Sequence, residues 1–143
     1  MTIIKSLSLA LFVSLLFGCS TEKSPSLVYI EYNSRVIAGI SFGDEKKYFS
    51  KRKQQEVESK MPQYMKQMNK SRDEVIAIYL EFSKGLAKCK EISLVSEIIE
   101  TNKASLEFSQ KDICGNESTS TAKQLVKMVK ESGWKIDNVV ISI

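Results

Sequence analysis

Histidine is missing from this chain of 143 residues. Its absence removes the commonest metal ligand and the commonest acid–base group at neutral pH. Cysteine is scarce, with three copies at Cys19, Cys89 and Cys114. None lies in a Cys-x-x-Cys pair, which argues against thiol redox chemistry. No nucleophile motif is present, and no two acids stand at a recognisable catalytic spacing, so the expectation is a protein that is not an enzyme. Charge of one sign is also modest, a net +4.

What is present begins at the N-terminus. Lys5 leads into residues 7–17, which are dominated by Leu, Val, Phe and Ala. Such a run is the layout of a secretory signal and is too short for a membrane-spanning helix, which needs roughly 20 apolar residues. The run closes on Leu16-Phe17-Gly18-Cys19, which resembles the lipobox of bacterial lipoprotein precursors; Phe17 departs from the pattern, where a smaller residue is usual. The resemblance implies that residues 1–18 are a signal peptide and that Cys19 becomes the acylated N-terminus. It also implies a membrane partner, reached through the lipid on Cys19. Each buried methylene contributes about 0.8 kcal/mol, so several chains on one Cys hold firmly. Ser20 is not acidic, and the sorting habit of lipoproteins then favours the outer membrane, facing the periplasm of a Gram-negative cell. For an exported protein so slightly basic, nucleic acid is not expected as a partner.

Residues 19–25 read as a polar tether and residues 26–143 as a single domain, large enough for a real core. Once Cys19 carries lipid, Cys89 and Cys114 remain as an even pair in an oxidising compartment. Two thiols without an imidazole make a poor zinc site, so neither a metal nor a cofactor is expected.

Local patterns outline the domain. Ser24-Pro25 suits a helix start, and Val28, Tyr32, Val36 and Ile40 recur every four residues toward a stop near Gly39 or Gly43, although 27–32 alone could pass for strand. Gly43-Asp44 offers a stop followed by a cap. A charged helix is expected over 45–60, ending at Met61-Pro62, with a further stretch at 63–69. Ser71 and Glu74 fit a capping box ahead of Val75, Tyr79, Phe82 and Leu86, a pattern that fades near Gly85. Two β-runs, 92–101 and 104–113, flank a turn at Thr101-Asn102. Residues 122–131 fit a helix through Ala122, Leu125, Val126 and Val129, or a strand through Leu125, Lys127 and Val129. Ser132-Gly133 makes a turn before a last β-run. Helices first and strands afterwards indicate an α+β domain.

Register follows from the first hairpin. If Thr101-Asn102 is a two-residue turn, Ile99 faces Ala104, Glu97 faces Leu106 and Val95 faces Phe108. The same register sets Cys89 opposite Cys114, close enough for a disulfide.

The Gly43-Asp44 break, the capped third helix and Gly133-Trp134-Lys135-Ile136 before the last strand together resemble the nuclear-transport-factor-two-like, or cystatin-like, superfamily, in particular its small bacterial lipoproteins. The resemblance implies N-terminal helices packed on a curved antiparallel sheet that forms a cone with a possible pocket, and it makes 122–131 a strand. It carries over no catalytic residue, since no position here matches one.

Several residues are candidates for a site. Tyr29, Tyr32, Tyr48, Tyr64 and Tyr79 read first as packing at helix faces, with a pocket lined by hydroxyls as the alternative. Alternation places Glu97 on an apolar face, where burial would raise its pKa. Asp112 and Asp137 fall near expected strand ends. Met61, Met65 and Met68 lie at helical spacing, which suits core filling or an adaptable surface. Between Lys46 and Arg72 stand nine basic residues against Glu56 and Glu58, a segment able to meet an anionic envelope component or an acidic protein. The leading expectation is a non-catalytic, lipid-anchored envelope protein that binds a protein partner or an envelope component. The alternatives are a small-molecule or His-free proton-transfer pocket, and an inhibitor or immunity-type lipoprotein.

Overall fold

The computed structural model describes residues 21–115 and 122–142; the expected signal peptide, residues 1–18, and Cys19 lie outside them. Four helices precede four strands: α1 (Pro25–Ala38), α2 (Phe42–Lys46), α3 (Lys51–Met68), α4 (Arg72–Lys88), β1 (Lys90–Glu100), β2 (Lys103–Asp112), β3 (Lys123–Glu131) and β4 (Gly133–Ser142). The strands form one antiparallel sheet in the order β1-β2-β3-β4, and the helices pack on it. The domain is therefore α+β.

Local caps define the helix ends. Ser24 accepts the Leu27 N–H, Pro25 opens α1, and Gly39 closes it at φ 96°, a left-handed conformation that glycine adopts without a Cβ clash. Ser71 and Glu74 make both halves of a capping box on α4. The helix then runs past Gly85 to Lys88.

The expected helix over 45–60 is interrupted. Ser41, not Asp44, is the cap of α2, and Gly43 lies inside that helix. Residues 47–50 then turn to β4: Ile136 donates its N–H to Tyr48 O (2.8 Å) and Ser50 donates to Ile136 O (2.9 Å). This pairing buries Phe49 in the core, and that burial outweighs the helix propensity of a charged run. Ser50 then caps α3 through the Lys53 N–H.

The expected stop at Met61-Pro62 is overturned as well, since α3 continues through Pro62 to Met68. Proline inside a helix removes a hydrogen bond and costs roughly 3 kcal/mol. Here the helix is held on both sides of it, by the Ser50 cap and by a left-handed Asn69, with Met61 buried. Pro62 itself is exposed. Pro62→Ala should therefore stabilise the domain by about 2 kcal/mol, part of the gain being offset by a freer unfolded chain. Urea unfolding checks this, and an unchanged midpoint would show that the helix bears no proline penalty.

In the first hairpin the expected register holds near the turn, with Glu100↔Lys103, Ile99↔Ala104 and Glu97↔Leu106. A bulge at Val95 then shifts it by one, so that Leu94 rather than Val95 faces Phe108. The left-handed residue of the turn is Thr101 (φ 48°). Residues 123–131 form a strand, but the inward side is Gln124, Val126 and Met128, while Leu125 and Lys127 face out. Phe108, Val126, Met128 and Ile136 are almost fully enclosed beneath α1 and the 48–50 segment. Burial of each such side chain contributes about 1.5–3 kcal/mol. Tyr29 completes this core, its ring 5.1 Å from that of Phe108.

Candidate functional site

The short helix α2 carries a glutamate into this interior. Phe42 and Glu45 lie three residues apart on one side of α2, and Phe49 joins them in one cavity wall from the 47–50 segment. Glu45 is 0% exposed. Its Oε1 accepts two hydroxyls, from Tyr32 on α1 at 3.0 Å and from Tyr79 on α4 at 2.7 Å. Among the described residues Oε2 has no hydrogen-bond partner. Such an orphan is unusual, because nearly all buried polar atoms are paired.

Burial raises the Glu45 pKa above its ordinary 4.5, and the hydroxyls of Tyr79 and Tyr32 offset only part of that rise. Burial likewise raises the phenols of Tyr32 and Tyr79, with the Glu45 charge adding to it. Burial therefore shifts all three groups toward their neutral forms.

A cavity of about 270 Å³ lies against this cluster between α2, α3 and α4. Phe42, Phe49, Val57, Met61, Val75 and Ile76 make its apolar wall, with Glu45, Tyr64 and Tyr79 as polar members. Lys53, Glu56 and Lys60 form its charged side. There Glu56 binds Lys60 at 2.7 Å and Arg52 at 3.1 Å, and the Lys60 hydrogen bond leads the causes that draw its pKa down to about 2. Glu45 also lines a second cavity of about 180 Å³, between the end of α1 and α4. Apolar cavities with a few polar groups are the usual form of small-molecule sites.

A separate polar row lies deeper in the sheet. Tyr29 donates to Gln124 Oε1 (2.8 Å), and Gln124 Nε2 donates to Gln110 Oε1 (2.8 Å). All the atoms of this row named here are paired, and it serves to anchor α1 on β3 and β2.

The sequence candidates are scattered around this centre. Tyr32, Tyr64 and Tyr79 reach it; Tyr29 belongs to the amide row, and Tyr48 donates to Glu31 at 2.9 Å. Met61 is in the cavity wall, whereas Met65 is half-buried and Met68 exposed. Glu97 is half-buried and accepts the Ser26 N–H at 2.9 Å, satisfying an orphan donor in the first turn of α1. Asp112 accepts the Cys114 N–H at 2.8 Å. Asp137 is the extra residue of a bulge in β4, not at a strand end, and takes hydrogen bonds from Ser50 (2.6 Å) and Arg52 (2.9 Å) at the start of α3. Of the α4 stripe, Val75 is buried, while Phe82 is 65% exposed.

The structure brings Cys89 and Cys114 together, with Cα atoms 5.0 Å apart and the sulfurs at bonding distance. The route differs from a straight register. After the Val95 bulge Ile113 stands opposite Cys89, donating its N–H to Cys89 O, and Cys114 reaches back from the turn that Asp112 holds.

Seven of the nine basic residues between Lys46 and Arg72 are in ion pairs. Arg72 and Lys46 share Glu58, and Glu56 takes Arg52, Lys53 and Lys60. The segment thus offers less free charge than its composition implies. Among the described residues there is no group of three or more acids or thiols placed to hold a metal, and no helix long and apolar enough to cross a membrane.

Glu45 is the residue that sequence reasoning missed. The one trace it leaves in the sequence is an acid between two aromatic residues, Phe42 and Phe49. No family model, curated protein or solved structure matches this chain.

Proposed function

We propose that this chain is a lipid-anchored protein of the bacterial envelope, held by Cys19, whose cavity between α2, α3 and α4 binds a small, largely apolar molecule. The observation that carries the reading is Glu45, fully buried with Oε2 unpartnered, on a residue that lines an apolar cavity of about 270 Å³. Nature rarely leaves a carboxyl in such a place without compensation, since an unsatisfied buried polar atom costs about 1–3 kcal/mol. The helices over an antiparallel sheet suit the cystatin-like cone that the Gly133-Trp134-Lys135-Ile136 turn resembles. Binding without turnover is the reading, because Glu56, the other acid lining the cavity, is tied up by Arg52, Lys53 and Lys60.

Two measurements test it. Mass spectrometry of the native protein should show a chain starting at Cys19 with acyl chains attached; a start elsewhere without lipid would refute the anchor. Solvent extraction of the protein purified from its own envelope should yield a small organic molecule, absent when Val57→Trp fills the cavity. Equal extracts from the two proteins would refute the pocket.

Binding of a protein partner is the second reading, favoured by Ile78, Phe82 and Leu86. These lie four residues apart on one side of α4 and are all exposed, a stripe suited to an apolar contact.

A further inference from the structure

The chemistry around Glu45 narrows what the cavity can hold. Both neighbouring hydroxyls donate to the same oxygen, Oε1, which leaves Oε2 as the oxygen to carry the hydrogen of a neutral carboxylic acid. A carboxylate would spread its charge over both oxygens and leave Oε2 without a donor in apolar surroundings. An ammonium ligand meets poor conditions as well. The Phe42 ring, well placed to receive a cation, already has Lys46 at 5.6 Å and Arg72 at 6.0 Å, and cations over one ring compete for the same quadrupole. An anionic ligand would find Lys53 and Lys60 already spent on Glu56.

We infer that the molecule held in this cavity is neutral and largely apolar and presents one hydrogen-bond acceptor, a carbonyl or ether oxygen, to Glu45 Oε2. The inference rests on the cavity being a binding site. Oε2 is closed to solvent, so the ligand must part the wall to reach it. Tyr64, 43% exposed, is an aromatic member of the wall with solvent to move into.

Binding then depends on the Glu45 proton. The titratable groups that share a hydrogen bond or a cavity with Glu45 are Tyr32 on α1, Tyr79, Glu81 and Lys84 on α4, and Lys53, Glu56, Lys60 and Tyr64 on α3. Tyr32 and Tyr79 are held neutral by burial, and Glu56 and Lys60 hold each other charged. Glu45 is left as the group whose proton is set by burial against the cavity.

The test uses three probes of similar size, acetophenone, 1-phenylethylamine and benzoate, titrated into the mature protein and followed by calorimetry and amide NMR. Acetophenone should bind tightest and move the amides of α2, α3 and α4. Its affinity should fall about tenfold as Glu45 ionises. Glu45→Gln keeps a donor in the place of Oε2, and its acetophenone affinity should be flat with pH. Glu45→Met should bind weakly throughout; if that variant fails to fold, the comparison of the native chain with Glu45→Gln still decides. Preference for the amine, strengthening as pH rises, would overturn this inference while leaving the pocket standing. Preference for benzoate would do the same. If no probe binds and the cavity holds water alone, both the inference and the pocket fall.

Discussion

Reduction of the bond between Cys89 and Cys114 should cost the fold about 3–4 kcal/mol. The two residues are 25 apart in sequence, and closing a loop of that length removes conformational entropy from the unfolded chain by about this amount in the chain-entropy model. The bridge fastens the end of α4 to the far end of the β1–β2 hairpin. Beyond the Val95 bulge this hairpin has an edge strand bearing exposed Leu94 and Val95. The double variant Cys89→Ser/Cys114→Ser should therefore melt about 10 °C lower or more and lose amide protection first at that end of the hairpin. Labelling under denaturing conditions should find both thiols only after reductant. Two reactive thiols without reductant, or an unchanged melting temperature on reduction, would remove the bridge from the explanation of the fold.

Glu45→Leu should cost about 2–4 kcal/mol, because it leaves the buried hydroxyls of Tyr32 and Tyr79 without their acceptor, and each unsatisfied group costs about 1–3 kcal/mol. Glu45→Gln behaves differently, since its amide oxygen still accepts both hydroxyls. The pH dependence of the native chain has a definite sign. Burial raises the folded pKa of Glu45 above its ordinary 4.5, so the folded state binds this proton more tightly than the unfolded chain does. The stability it contributes is complete below 4.5 and is lost as pH rises through the folded value. Glu45→Gln has no such proton to lose. Its stability relative to the native chain should grow as pH rises above 4.5 and level off once the folded carboxyl has ionised. Urea unfolding of both proteins across that range isolates this one group, since the other acids titrate alike in each. Parallel stability curves would show that Glu45 is ionised and well solvated in the fold.

The features read correctly from sequence are those whose causes lie within a few residues. Ser24-Pro25 and Ser71 with Glu74 announce helix starts because the capping atoms and the donors they satisfy are three residues apart. The turn at Thr101-Asn102 sets its own pairing for the first few residues on either side. Legibility ends where a distant partner decides. The bulge at Val95 is one case: alternation continues across it in sequence, and it slipped the predicted Val95–Phe108 pair to Leu94–Phe108. Residues 47–50 have a helical composition, and their extension depends on Ile136 far along the chain. Pro62 is a helix breaker by local rules and is carried inside α3 by the caps at Ser50 and Asn69 and by the burial of Met61 beside it. For 122–131 both periods fitted, and the sheet chose between them. The site was the least visible part, because Glu45 becomes a buried acid only when Tyr32 from α1 and Tyr79 from α4 close over it. Without them it reads as an ordinary first-turn acid.

That Glu45 marks a binding cavity is tested most directly by a crystal structure of the protein purified from the cells that make it. The prediction is density for an organic molecule between α2, α3 and α4, with an oxygen of that molecule within hydrogen-bond distance of Glu45 Oε2. A cavity collapsed onto the carboxyl, or filled only by ordered water that satisfies Oε2, would contradict it.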